Sequence, residues 1–397
     1  MQHCQRRRPW RTAAFASTLL VLTLLGNDAL ARRGEAPYTP PGSGLPGTPA
    51  LQVRTPDVAL LKAEDQARYE SGEKTFRYAE PIRVFSSPGS DGMWETLPDG
   101  TRMWRMSVVG KDATDINLGF EKYELPYGAK LWVISADHDY YEGPYTHEDN
   151  ADHGQLWVPV VPGDEVVVEL QVPARTKFEP RLELTHVGYG YTDMFGLYPD
   201  KQGACNNDVI CPEGDPWRDQ IQSVATYSLG GSTICTGQMV ADAEGTFRPF
   251  FLTAYHCGVS SSNAASMTVY WNFESPECGL LSGGSLDQNQ TGAVFRARRQ
   301  DVDMALVELD ALPQAEFNVF YSGWDRSGVP AQGSVAIHHP GTDEKAISFN
   351  DDPLTIQTSC IGGFTPDTHW RVDNWEDGTT EPGSSGSGIW DPNKIGR

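Results

Sequence analysis

The chain reads as an all-β protein in two parts, a β-sandwich-like N-terminal region followed by an all-β barrel region. Three observations carry that reading. Short apolar segments recur with turn formers between them, as at Pro126-Tyr127-Gly128 and Pro162-Gly163-Asp164, the spacing of a sandwich rather than of long helices. Beyond residue 203 the candidate strands shorten and Gly/Ser-rich connections join them, which suits a barrel better than an α/β fold. Finally, Cys205, Cys211, Cys235, Cys257, Cys278 and Cys360 all lie in the second part, and none falls between residues 31 and 203. One part is thus held by its core alone, and the other is built to be stapled. No repeat at solenoid or propeller spacing is present.

Taken in order, Arg6, Arg7, Arg8 and Arg11 make a basic start, residues 13–25 an apolar run, and Ala29-Leu30-Ala31 a small-residue cleavage signal. That order predicts a secretory signal peptide over residues 1–31. The apolar run is shorter than the roughly 20 residues a membrane span needs. The expected product is secreted, free of the membrane once the signal is cut, and in a compartment where cysteines pair. Residues 32–56, rich in Pro, Gly and Thr, read as a linker, and 58–69 as a short helix. Strands are expected at 103–109, 130–135, 155–161, 165–172 and 181–187. Asp137, His138 and Asp139, or His147 and Glu148, are neighbours on an acidic loop without a coordinating spacing. They read as solvated surface, so neither a metal nor another cofactor is expected. A formal charge of −22 with no basic patch argues against a nucleic-acid partner and favours approach of cationic substrates.

A second shift in composition comes at residues 198–203. Strands are expected beyond it at 223–228, 233–240, 250–253, 267–273, 293–297, 304–309, 319–322 and 335–339. Three segments there carry chemistry. The apolar run Phe251-Leu252-Thr253 leads through Ala254-Tyr255 to His256-Cys257, Asp303 stands at the mouth of the apolar run 304–309, and Glu381-Pro382-Gly383-Ser384-Ser385-Gly386-Ser387-Gly388 is a glycine–serine turn. Each alone has a bland reading: a structural histidine, a turn aspartate, a flexible loop. Together they occur in the order His, Asp, Ser, which is the chymotrypsin arrangement of a nucleophilic triad. A serine hydroxyl is a weak nucleophile until a base sits within hydrogen-bond reach. His256 is that base, Asp303 fixes its tautomer, and the N–H groups of Gly383 and Ser385 would meet the developing oxyanion. Ser384 and Ser387 are rival nucleophiles, with Ser385 at the centre of the turn. No His-Glu-x-x-His occurs, and His338-His339, which alternate across a strand, read as structural.

The segments around His256 and Ser385 resemble the His and Ser motifs of the chymotrypsin family. More narrowly, Cys205-Asn-Asn-Asp-Val-Ile-Cys211-Pro-Glu-Gly is similar to the start of mature bacterial lysyl endopeptidases. Val269-Tyr-Trp-Asn-Phe273, Ser322-Gly-Trp-Asp-Arg326, Ala336-Ile-His-His-Pro340 and Thr380-Glu-Pro-Gly-Ser-Ser-Gly-Ser387 resemble later parts of them. The resemblance runs from about residue 204 to the last residue. It implies a chymotrypsin-like double β-barrel over 202–397 that hydrolyses protein or peptide substrates through an acyl-enzyme, after lysine. It also implies a zymogen whose propeptide, residues 32–201, is its partner until cleavage. Lys201 precedes the mature-like start and is the expected processing point. From Gln202 onward there are ten Lys and Arg against 25 Asp and Glu, a field that favours basic peptides. The resemblance pairs Cys211 with Cys278, and Cys235 is the natural partner of Cys257 beside the histidine. Cys205 and Cys360 are left without assigned partners.

Two departures from the wider pattern bear on function. Ser384, not aspartate, precedes the candidate nucleophile, as in the lysyl endopeptidase branch, so a new N-terminus has no aspartate there to pair with. The sequence also ends at Arg397, 12 residues after Ser385, so the expected barrel is C-terminally incomplete and lacks pocket-forming strands. The alternative reading is a catalytically inactive, protease-like secreted binding protein. In a weaker one the N-terminal sandwich is a retained adhesion or carbohydrate-binding module.

Overall fold

The structure is a computed structural model that describes residues 35–38, 48–73, 75–194, 202–203, 205–358 and 366–397. The expected signal peptide, the processing residue Lys201 and Cys360 lie outside the described residues.

The first part contains β1 (Ala50–Gln52), α1 (Val58–Glu70), β2 (Phe76–Arg77), β3 (Ala79–Ser86), β4 (Met93–Thr96), β5 (Arg102–Val109), β6 (Asp115–Glu124), β7 (Lys130–Ser135), β8 (Tyr141–Tyr145), β9 (Leu156–Trp157), β10 (Val161–Pro162), β11 (Glu165–Val172) and β12 (Arg181–Gly190). One sheet runs β1-β5-β11-β7-β8 with β4 beside β5, and the other β10-β6-β12-β3 with β9 beside β6. Side chains alternate across a strand. Val166, Val168, Leu170 and Val172 of β11 therefore face one core with Leu118 and Phe120 of β6 and Leu184 of β12. This is the β-sandwich that the turn spacing predicts. Where residues 155–161 were expected to form one strand, there are two short ones. Pro159 between them has no N–H for the ladder, and the chain crosses from pairing Gly119 to pairing Ile116. Strand β6 carries no clean sequence signal, because bulges against β12 at Leu184 and His186 break its alternation. Helix α1 starts where Asp57 accepts from Leu60 N at 3.0 Å, a capping bond typical of aspartate.

The second part contains β13 (Asn207–Asp208), α2 (Arg218–Ser223), β14 (Val224–Leu229), β15 (Thr233–Val240), β16 (Phe250–Ala254), β17 (Thr268–Trp271), β18 (Asn289–Thr291), β19 (Ala293–Arg299), β20 (Met304–Leu309), β21 (Ser334–His338), β22 (Ala346–Asn350), β23 (Thr355–Ile356), β24 (Trp370–Arg371) and β25 (Gly388–Trp390). Its larger sheet runs β18-β17-β14-β15-β16-β20-β19, and β2 of the first part joins it at β15. Tyr227, Met239, Phe251, Trp271 and Val307 fill its core. A second sheet runs β13-β22-β21-β25 around Val335, Ile337, Ile347 and Trp390. The strand expected at 319–322 is only a single bridge between Ser322 and Val240. Disulfide bonds join Cys211 to Cys278 and Cys235 to Cys257.

The two parts share a buried apolar cluster that includes Tyr78, Val160, Ile234, Tyr270 and Phe273. Polar contacts also cross between them: Val160 N donates to Tyr270 Oη at 3.1 Å and Thr291 Oγ1 to Trp157 O at 2.6 Å. Among the described residues no helix is long and apolar enough to cross a membrane.

Candidate active site

Strand pairing places the first two candidate residues. β16 lies antiparallel to β20 with Ala254 opposite Met304. The residues just past the end of one strand therefore meet those just before the start of the other. Tyr255, His256 and Cys257 form a 3₁₀ turn that Gly258 closes in the left-handed region. Asp303, also left-handed at φ 50°, accepts twice from the same residue. His256 N donates to Oδ1 at 2.9 Å, and His256 Nδ1 lies 2.7 Å from Oδ2. A carboxylate facing Nδ1 holds the proton there and leaves Nε2 as the basic nitrogen. That Nε2 is buried with no hydrogen-bond partner among the described residues.

The turn that carries Ser385 docks on β15. Thr236 N donates to Ser385 O at 2.8 Å, and Thr236 Oγ1 to Gly383 O at 2.8 Å. Cys257 Sγ lies 3.8 Å from Ser385 O. The Cys235–Cys257 bridge thus ties the histidine loop to the strand on which the serine turn sits. Gly386 must be glycine: at φ +88° an added Cβ would lie 2.1 Å from Thr236 O and 2.3 Å from Thr253 Oγ1.

The neighbouring serines are committed elsewhere. Ser384 Oγ pairs with His338 Nδ1 at 2.8 Å, and Ser387 Oγ donates to Ser384 O. His338 Nε2 meets Ser348 Oγ at 3.2 Å. Burial pushes the His338 pKa down to about 3, so the ring is neutral at ordinary pH. His339 is likewise depressed by burial and then by the Lys345 charge; it stacks on Phe273. Thr236 and His338 thus position the serine turn, although neither carries a sequence signal for that role. Of the acidic-loop residues, Asp137 accepts from Ser135 Oγ at 2.6 Å and Asp139 N at 3.2 Å, a turn-forming role.

Just beyond Lys201, Gln202 N donates to Asp343 Oδ2 at 3.1 Å, and Gly203 N to Glu381 Oε1 at 3.0 Å. The start of the second part is therefore anchored next to the serine turn.

Comparison with known proteins identifies the family. The family model for the lysyl endopeptidase C-terminal domain matches residues 199–397, and that for the lysyl endopeptidase N-terminal domain matches residues 86–186. A lysyl endopeptidase of Pseudomonas aeruginosa is 30% identical over 326 residues, spanning 75% of this chain and 67% of that protein. Among solved structures, the Rv3671c protease in its inactive form overlaps 49% of this chain and 85% of its own at 15% identity, with a TM-score of 0.29. The MamO protease domain of Magnetospirillum magneticum overlaps 44% and 81% at 11% identity and 0.29. Likenesses that distant add nothing to the reading. With the N- and C-terminal family models matched in order along one chain, this protein is a serine endopeptidase and belongs to the lysyl endopeptidase family.

Proposed function

We propose that the chain is the secreted precursor of an endopeptidase that cuts after lysine, with Ser385 as nucleophile, His256 as general base and Asp303 as its orienting carboxylate. The observation that carries the proposal is the His256–Asp303 pair, gripped through both ring and backbone, with Nε2 unpartnered among the described residues and the adjoining Cys257 Sγ 3.8 Å from Ser385 O. In this reading Nε2 takes the Ser385 proton as Oγ attacks the scissile carbonyl, then returns it to the leaving amine. The N–H groups of Gly383 and Ser385 receive the oxyanion, each worth about 3–4 kcal/mol of transition-state stabilisation. Water then hydrolyses the acyl-enzyme.

Residues 32–201 are the propeptide and Lys201–Gln202 the maturation bond. The anchoring of Gln202 N on Asp343 supports this assignment. Cleavage there would turn that amide into an ammonium group beside a carboxylate, a stronger charge-assisted contact. The two disulfides support an oxidising destination. The names of the matched family and relative, together with the acidic field of the second part, support lysine specificity.

The test is a fluorophosphonate probe applied to the processed protein, alongside cleavage of peptides that differ only in lysine, arginine or leucine before the bond. Labelling of Ser385 that Ser385→Ala removes, with selective cutting after lysine, is the expected result. Label on Ser384 or Ser387 would overturn the nucleophile assignment. A protein that takes no label and cuts no peptide would favour the inactive binding reading.

A further inference from the structure

The turn that bears Ser385 is tied down residue by residue. Ser348 Oγ donates its one proton to Thr379 O at 2.6 Å, so towards His338 Nε2, 3.2 Å away, it can only accept. The neutral ring therefore carries its proton on Nε2, and Nδ1 accepts from Ser384 Oγ at 2.8 Å. Ser384 Oγ in turn accepts from Glu381 N at 3.2 Å. On the other flank Thr236 Oγ1 donates to Gly383 O and Thr236 N to Ser385 O, each at 2.8 Å.

One peptide plane in this turn depends on a single contact. Residue 382 is proline, which has no N–H, so its carbonyl is its only main-chain hydrogen-bonding group. That carbonyl accepts from Gly341 N at 2.7 Å. In a trans peptide the carbonyl and the following N–H point in opposite directions. While Gly341 holds Pro382 O, the Gly383 N–H is turned away from Gly341, and it has no partner among the described residues. Gly383 sits at φ +93°, and glycine takes up positive and negative φ about equally well. The freedom that lets the chain turn there also lets this plane swing over and carry its N–H to the opposite side.

Gly341 is itself placed by its neighbours. It lies in the 3₁₀ turn Pro340–Thr342 that follows β21, at φ 61° and ψ 20°, in the left-handed region that most side chains disfavour. Asp343 N donates to Pro340 O at 2.9 Å and closes the turn. Asp343 O lies 3.0 Å from His339 Nδ1, and Asp343 Oδ2 accepts from Gln202 N at 3.1 Å. His339 N donates to Thr236 Oγ1 at 3.2 Å. The turn that carries Gly341 and the turn that carries Ser385 are thus built on the same threonine.

We propose that Gly341 is a positioning residue for the oxyanion hole, its N–H locking the Pro382–Gly383 peptide so that the Gly383 N–H faces the reacting carbonyl, an inference that rests on the proposed roles of Ser385 and Gly383. When Ser385 Oγ adds to the substrate carbonyl carbon, its proton passes to His256 and the carbonyl oxygen takes up the negative charge. A donor already aimed at that oxygen stabilises it with no reorganisation during the reaction. A plane that has swung over presents Pro382 O instead, whose dipole repels the charge. Gly341 does not touch the substrate, so its effect falls on the transition state and leaves ground-state binding alone.

The test is a graded series at residue 341 in the processed protein, with a trace of wild type added to complete processing and its rate subtracted. Asn tolerates the left-handed region, Ala less well and β-branched Val least, and all three keep the N–H, which Gly341→Pro removes. Gly341 is half-buried and borders an open cleft with Glu381 and Pro382, which leaves room for these side chains. The readouts are kcat and KM for a lysyl peptide, and inhibition by a lysyl peptide aldehyde and by the matching alcohol. The aldehyde adds to Ser385 Oγ and places an oxyanion in the hole, whereas the alcohol cannot. Across Asn, Ala, Val and Pro, kcat is expected to fall in that order, from within about threefold of wild type to about a hundredfold below it. Aldehyde inhibition weakens in step, while KM and alcohol inhibition hold constant. Should Gly341→Pro not fold, the order among Asn, Ala and Val decides. A folded Gly341→Val that matches Gly341→Asn in kcat and aldehyde inhibition overturns this inference and leaves the proposed function standing. Equal weakening of aldehyde and alcohol also overturns it, by showing a general loosening of the site. Wild-type protein that cuts no lysyl peptide overturns the proposed function and this inference with it.

Discussion

His338 makes the serine turn acid-sensitive. The ring is fully buried, bridges Ser384 Oγ and Ser348 Oγ, and has its pKa lowered by burial from 6.5 to about 3. Between those two values the unfolded chain binds a proton that the folded chain refuses. Stability therefore rises with pH through that window and is lost as the solution is acidified from about pH 6.5 towards about pH 3. One unit of pKa difference corresponds to about 1.4 kcal/mol, so acidification by two units within the window removes up to ~3 kcal/mol. His339 is shifted the same way beside Lys345, so the His338 share has to be isolated. His338→Gln in the Ser385→Ala background does so, because an amide can bond both hydroxyls and does not titrate. Denaturant unfolding is measured at neutral pH and about two units into the window for both proteins. The parent is expected to lose up to ~3 kcal/mol more than the variant on acidification. Parallel losses would refute the claim that His338 is held neutral by the fold.

Other consequences are sharper in activity than in stability. Gly386→Ala drives a Cβ against Thr236 O and Thr253 Oγ1; hydrolysis of a lysyl peptide should fall about a hundredfold from misplacement of the nucleophile, with circular dichroism unchanged. Asp303→Asn removes the carboxylate that faces His256 Nδ1, and kcat should fall by about 10⁴-fold because the ring then presents the wrong tautomer. Replacing Cys235 and Cys257 together by serine opens the bridge between β15 and the histidine loop. Unfolding free energy should drop by about 2–4 kcal/mol, and probe labelling of Ser385 should slow.

Much of the architecture is legible along the chain because local rules apply. The alternating residues of β11 mark a strand with one buried face, Asp57 marks the start of α1, and the cysteine distribution separates two differently stabilised parts. The candidate His, Asp and Ser are visible because each stands at a boundary between an apolar strand and a turn. Local rules fail where a neighbour decides. Pro159 splits one expected strand because it cannot donate to a ladder. Thr236 looks like any strand threonine until Ser385 and Gly383 dock on it. The neutral state of His338 follows from its burial under the serine turn, which no short window of sequence contains. Phe76 and Arg77 are too few to signal a strand, and only the free edge of β15, about 160 residues later in the chain, makes them one. Composition and spacing determined the two all-β parts and singled out the candidate residues for chemistry. Tertiary structure alone decided what those residues touch, because hydrogen-bond partners and burial depend on segments distant in sequence.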